Sequence, residues 1–184
     1  MNLFVLDNCP VEAARLQCDK HVVKMIVESA QMLSTVHRML DGVQTRMPSK
    51  SGKTMSKAWT LPDSRDDILY RAVHMHHPCT IWTAESNNNY NWHYVHFVAL
   101  CDEYQYRYGK VHATNTLLRD ALKNPPINIP TGPLTKQPLA MKANPECMDY
   151  RDIVGSYRKF YQTKQDRFKM AWTKRPVPEW FIAA

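Results

Sequence analysis

CDKHVVKMIVESAQML, residues 18–33, is the stretch that decides the expected fold. Its apolar residues recur at helical spacing and cover most of the circumference of the predicted helix. A solvated surface helix gives about half of its circumference to polar groups, so this helix is expected to be buried on both flanks. One narrow polar stripe runs along this helix at steps of three or four residues and consists of His21, Lys24, Glu28, Gln31 and Thr35. If both flanks are buried, this stripe is expected to line a cleft.

Glu28 is the most informative member of this stripe. A carboxylate in a cleft, one turn from Lys24, is a candidate acid, base or charge stabiliser. The alternative is an exposed Glu28–Lys24 pair at i, i+4 spacing, worth only a few tenths of a kcal/mol. Spacing alone leaves both interpretations open.

Helical patterns also dominate the rest of the chain. No run of alternating apolar residues is long enough to predict a sheet. The fold class is therefore expected to be mostly α, with one compact helical domain over residues 1–184. The predicted segments are an extended stretch at 3–6, helices over 10–40 (with a break near 18–19), 64–75, 78–108 (with an interruption at 87–89), 114–122 and 149–172, a basic mobile loop at 43–60, and a Pro-rich extended segment at 124–147.

The charge and cysteine content narrow the class of protein. Lys and Arg number 24 against 17 Asp and Glu, which gives a net charge of +7. This charge is compatible with a polyanionic partner and equally with an ordinary basic, soluble protein, so charge alone leaves both interpretations open. Five cysteines without a C-x-x-C pair are typical of a reducing cytoplasm. The N-terminus does not have the pattern of a leader, and no apolar run approaches the ~18 residues of a membrane span. We expect a cytoplasmic monomer that does not interact with membranes.

Four possible metal ligands, His74, His76, His77 and Cys79, lie close together in the sequence. Zinc sites usually combine two such clusters, and the chain has no second one. This pattern favours structural or polar-contact roles, so we expect no metal and no cofactor.

The residues Asp19, His21, Val22, Glu28 and Met32 have the order and spacing of a known catalytic helix. The pattern resembles the first helix of the phage endonuclease V, or pyrimidine-dimer DNA glycosylase, family. The likeness continues at HPCTIW (77–82) and at a long helix that closes with CDEYQYRYGK (101–110), and it covers residues 1–112. It implies a small helical enzyme that acts on damaged or modified double-stranded DNA, in the host cytoplasm if the chain is phage-encoded.

The resemblance also implies a mechanism. The family uses an N-terminal α-amine as nucleophile at the sugar C1′ and a glutamate that stabilises the sugar cation, after the base has been flipped from a bent duplex. The Met1 amine and Glu28 are therefore the candidate catalytic residues. The candidate substrate or DNA contacts are Asn2, Asp19, Lys20, His21, Lys24, Gln31, His77, Trp82, Arg107, Tyr108 and Lys110.

The chain departs from the family pattern at the active face. It begins Met1-Asn2-Leu3 where the family has a processed Thr followed by Arg, and Val27 and Gln31 stand where the family has two arginines. Lys20 and Lys24 are the nearby cations that could compensate for those two arginines. The expected function is a metal-independent DNA glycosylase with or without abasic-site lyase activity. Two alternatives remain open: an N-glycosidic or other enzyme acting on free or modified nucleotides, and a non-catalytic nucleic-acid-binding protein.

Overall fold

The structure is a computed structural model that describes residues 1–49 and 51–183. Within these ranges the chain forms seven α-helices, a 3-10 turn and one β-hairpin. The elements in chain order are α1 (Pro10–Arg15), α2 (Asp19–Asp41), β1 (Val43–Pro48), β2 (Met55–Thr60), α3 (Arg65–Ile68), α4 (Pro78–Glu85), α5 (Asn87–Tyr108), α6 (Ala113–Leu118), the 3-10 turn (Pro145–Cys147) and α7 (Ile153–Gln162).

The prediction of a mostly α fold is wrong. The chain is 45% helical and 7% strand, with a two-stranded antiparallel sheet, so its class is mixed. The segment 43–60, predicted as a loop, is a hairpin in which Val43 pairs with Thr60 and Pro48 with Met55. Neither face of this hairpin enters the core, so its sequence does not have the alternating apolar pattern by which strands are recognised.

The predicted ends of the two long helices are largely confirmed. The first pattern breaks before α2, which ends at Asp41 with Gly42 as its C-cap. The second breaks at Ser86, one residue before the three asparagines, because the Ser86 side chain accepts a hydrogen bond from the Asn89 amide and caps α5. Gly109 ends α5 in the left-handed region, with φ of 65°.

Three predicted helices are shorter than expected. The helices observed at 65–68, 113–118 and 153–162 correspond to the predicted 64–75, 114–122 and 149–172. At α3 the cause is visible: the Arg38 guanidinium, on α2, binds the carbonyls of Asp66, Leu69 and Tyr70. These carbonyls would otherwise accept the next hydrogen bonds of the helix.

The core forms where α2 packs against α4 and α5 and α1 packs against α5. The first residues of the chain, 2–6, are buried in it. The segment 124–147 runs along the start of α5, where the Gly132 amide donates to Asn87 and Asn89 donates to Thr135, and it continues to Ala140 beside Asn2. It therefore brings the middle of the chain to the N-terminus.

Within the described ranges, none of the helices is both long and apolar enough to cross a membrane.

Candidate active site

The N-terminal amine and Glu28 meet at the surface end of a small cavity. The Met1 nitrogen lies 3.7 Å from Glu28 Oε2, and Lys24 Nζ lies 3.1 Å from Oε1 of the same carboxylate. The Glu28 side chain is 14% exposed, whereas Lys24 is 66% exposed. Three residues of the predicted polar stripe, His21, Lys24 and Glu28, line this cavity, whereas Gln31 and Thr35 do not. The carboxylate has two cationic neighbours.

Asn2 holds the N-terminus in this position. Its side-chain carbonyl accepts hydrogen bonds from the Leu3 and Phe4 amides at 2.8 and 3.0 Å, and its amide donates to the Ala140 carbonyl at 3.0 Å. Phe4 has a φ of 50°, which non-glycine residues rarely adopt. Asn2 was predicted as a substrate contact; its side chain is instead engaged with the backbone that positions the amine.

His21 lies in an aromatic environment inside the cavity. Its ring stacks on Phe4 with centroids 4.6 Å apart and meets the edges of Tyr161 and Phe168. Burial, reinforced by the charges of Lys24 and Lys164, lowers the pKa of His21 from 6.5 to about 4. The imidazole is therefore neutral at physiological pH.

One ring nitrogen of His21 is engaged with Tyr161. The Tyr161 hydroxyl oxygen accepts from the Cys18 amide at 2.9 Å and lies 2.7 Å from His21 Nδ1. Because Nδ1 is engaged in this contact, Nε2 is the ring nitrogen that a ligand in the cavity would meet.

The C-terminal part of the chain supplies three further cavity residues, Lys164, Arg167 and Phe168. None of them was predicted as a site residue. Lys164 ends SYRKFYQTK (156–164), a stretch that mixes aromatic and basic residues. Lys164 is buried, and its Nζ lies 3.4 Å from the Phe160 ring centroid. Desolvation, together with the nearby charge of Arg167, lowers its pKa from 10.5 to about 8.

His77 lies next to the N-terminus from the other side. It caps α4 through its Nδ1, which accepts from the Cys79 amide. Burial and the charge of the Met1 amine lower the pKa of His77 below its usual value. His77 is therefore a neutral imidazole close enough to the amine for its charge to be felt.

Three other candidate contacts form a structural network instead. Arg107, only 2% exposed, binds Asp19 at 2.9 Å and Glu103 at 2.7 Å, and Glu103 also binds Arg175. Asp19 further accepts hydrogen bonds from Thr173, and the Tyr108 hydroxyl donates to the Asp19 carbonyl. These bonds tie α2, α5 and the C-terminal segment together and support the cavity without lining it.

The remaining candidates also lie outside the cavity. Lys20 is exposed and sits 4.8 Å from the ring centroid of Phe168, at the cavity edge. Gln31 is half-buried one turn beyond Glu28, Trp82 is in the core with its indole donating to Thr135, and Lys110 is exposed after Gly109.

The cavity has a volume of about 180 Å³. Pockets that enclose a drug-sized ligand are about 300–1,000 Å³, so this one suits a single sugar or phosphate group of a larger substrate. Larger cavities lie beside the hairpin and near His74–Pro78, but neither includes the Met1 amine or Glu28. An amine, a carboxylate and a neutral histidine at one cavity are groups that can carry out amine attack with proton transfer.

Among the described residues there is no group of three or more His, Cys, Asp or Glu side chains that could hold a metal ion. No family model, no curated protein and no solved structure matches the chain.

Proposed function

We propose that the protein is a DNA glycosylase that removes a damaged or modified base through an imine between the Met1 amine and the sugar. The observation that carries the proposal is the 3.7 Å approach of this amine to Glu28 at a cavity edge. An N-terminal amine is usually solvated, whereas here Asn2 is buried and fixes the preceding nitrogen beside a carboxylate. Such preorganisation is typical of a nucleophile and its proton acceptor.

In the proposed reaction the neutral amine attacks C1′ of a deoxyribose whose base is rotated out of the duplex. The new N–C1′ bond forms as the bond from C1′ to the base breaks, and a proton from the amine leaves with the base. Ring opening then breaks the C1′–O4′ bond as O4′ takes a proton that Glu28 has drawn from solvent, and the nitrogen lone pair forms a protonated imine. Water hydrolyses this imine to the free amine and an abasic aldehyde, and the extra proton returns to solvent. Glu28 carries the protons in each step.

The β-hairpin supports duplex DNA as the partner. The sequence 43–60 contains Arg46, Lys50, Lys53 and Lys57 but no acidic residue. Arg46 and Lys57 are exposed and face each other across the two strands. Like charges at such a cross-strand pair destabilise a hairpin, whereas a row of phosphates would neutralise them. The small cavity volume also favours one group of a polymer over an enclosed free nucleotide.

Borohydride trapping tests the proposal, because borohydride reduces an imine to a stable amine. Wild-type protein is incubated with duplexes carrying a panel of damaged or modified bases and an abasic site, and any cross-link is mapped by mass spectrometry. We expect a cross-link at the Met1 amine. The control is a protein with one additional residue before Met1, which displaces the amine and should lose the cross-link. Absence of trapping on every duplex, including the abasic one, would overturn the proposal.

A further inference from the structure

We propose that Lys164 and Arg167 form a binding site for a phosphate group of the substrate, adjacent to the Met1 amine and Glu28. The inference rests on the proposed function for the identity of the phosphate, which is a backbone phosphate of the DNA strand. Its physical basis is that the Lys164 side chain is largely buried and has no anionic partner among the described residues.

Among residues 1–49 and 51–183, three lysine or arginine residues are almost completely buried, and two of them have anionic partners. Arg38, 4% exposed, pairs with Asp66, and Arg107, 2% exposed, pairs with Asp19 and Glu103. Lys164 is 8% exposed, and no carboxylate among residues 1–49 and 51–183 pairs with it. Its ammonium group contacts the face of the Phe160 ring instead.

An ammonium group that lines a cavity on an otherwise buried side chain is destabilised when no anion is near it. A cation–π contact offsets only part of this penalty. The pKa of Lys164, lowered to about 8, reflects the same unfavourable environment. An anion that binds beside Lys164 would relieve this penalty.

Arg167 adds a second cation at the same cavity. Its amide donates to the Lys164 carbonyl at 3.0 Å, so the two residues lie on one turn and their side chains reach the cavity together. Arg167 is exposed, and its charge destabilises the ammonium form of Lys164. An arginine fork beside a lysine point charge is a common way to bind phosphate.

Glu28 does not serve as the missing anion. Its two oxygens are already engaged, Oε1 with Lys24 and Oε2 with the Met1 amine. The cavity therefore has three side-chain cations and an amine against one carboxylate. A bound phosphate would balance this excess and would fix the neighbouring sugar beside the amine.

The test is a double-mutant cycle on the intact protein, in which binding is measured without any reaction. Affinity is compared for an abasic-site duplex with normal phosphates and for duplexes in which one phosphate flanking the site is a neutral methylphosphonate. We expect one of these replacements to weaken wild-type binding by about 10- to 100-fold. Lys164→Met should weaken binding of the normal duplex by a similar factor and should be insensitive to that replacement.

Stability separates this role from a purely structural one. Lys164→Met keeps the unbranched stem on Phe160 and removes the unpaired charge, so its melting temperature should rise. Lys164→Arg should retain the phosphate sensitivity. Arg167→Gln, at an exposed position, provides a second variant that should lose affinity, with Lys169→Gln as the matched control that should not.

Two outcomes would overturn the phosphate site or the DNA strand as the source of the phosphate. If Lys164→Met melts lower and remains as sensitive to every methylphosphonate as wild type, the phosphate site is overturned. If a deoxynucleoside 5′-monophosphate binds with the same dependence on Lys164 while duplexes do not bind, the phosphate site stands and DNA is overturned as its source. Because these readouts use binding, they are independent of imine trapping, so the two proposals fail separately.

Discussion

The Met1 α-amino nitrogen lies 3.7 Å from Oε2 of Glu28. This separation allows charge attraction but exceeds the 2.7–3.2 Å typical of a hydrogen bond. The amine is thus held near a proton acceptor without being locked to it, and a small rotation would aim its lone pair into the cavity.

Glu28→Gln tests the carboxylate. The amide retains the size of the side chain but cannot accept a proton, so the single-turnover rate of base release should fall by at least about 100-fold. The unfolding free energy should change by no more than about 1 kcal/mol, because Lys24, the ion-pair partner that Glu28 loses, is 66% exposed. Glu85→Gln, at an exposed carboxylate on α4, is the control. An unchanged rate in Glu28→Gln would remove this residue from the mechanism.

Asn2→Ala tests the positioning of the amine. The variant loses the bonds to the Leu3 and Phe4 amides and leaves the Ala140 carbonyl without its donor, so unfolding should become easier by about 2 kcal/mol. The single-turnover rate should fall by about tenfold or more while duplex affinity is retained, since only the orientation of the amine is disturbed. Asn88→Ala, which removes an exposed bond to Gly132, should leave the rate unchanged.

Buried histidines should make the protein sensitive to mild acid. Burial lowers the pKa of His21 and His37 from 6.5 to about 4 and that of His96 to about 3. The unfolded chain therefore binds more protons than the folded chain below pH 6.5. The stability that these groups contribute is complete above about pH 6.5 and is lost as the pH falls toward 4, by up to ~1.4 kcal/mol per unit for each histidine.

Denaturant titrations at pH 7 and pH 5 would measure this effect, because most carboxylates remain ionised in that interval. His96→Phe retains a flat ring against Trp92 but cannot protonate. Although the loss of its contact with Gln17 lowers stability at both pH values, the difference between them should shrink by about 2 kcal/mol. Equal stability of the wild type at pH 7 and pH 5 would contradict the prediction.

The hairpin charges should contribute to DNA affinity without contributing to folding. Replacing Arg46 and Lys57 with Gln should lower the slope of log K against log salt concentration by up to about 2, equally for all DNA sequences. Thermal stability should be unchanged or slightly higher, because a like-charged cross-strand pair is removed. The matched control carries Lys136→Gln and Lys142→Gln, two exposed lysines of the segment 124–147. Equal salt slopes for the two double variants would argue against the hairpin as a DNA contact.

The part of the site on α2 could be predicted because it depends on local spacing. Steps of three or four residues bring His21, Lys24 and Glu28 to one face, and the apolar residues around them indicate burial. Val22 and Ile26 are indeed fully buried. Helix ends were predictable where a single residue determines them, as at Gly109.

The other parts of the site and of the fold could not be predicted from local sequence patterns. Lys164 approaches Glu28 from 136 residues away, and no local pattern indicates which side of the chain after α7 faces the cavity. The ion pair of Asp19 with Arg107 spans 88 residues, so their structural role was invisible in the sequence. The hairpin was missed because strands are recognised by a buried face, which its two strands lack.

The burial of residues 2–6 has a consequence for the order of assembly. The Leu6 carbonyl accepts from Arg158, Asn2 bonds Ala140, and Cys18 donates to Tyr161, so residues 2–18 contact residues 140–161. Contacts of such long sequence separation form late in folding. A nascent chain that stops before Arg158 would contain α2 and Glu28 but no closed cavity. Activity should therefore arise only after the residues that follow α7 have been translated and have packed against α2.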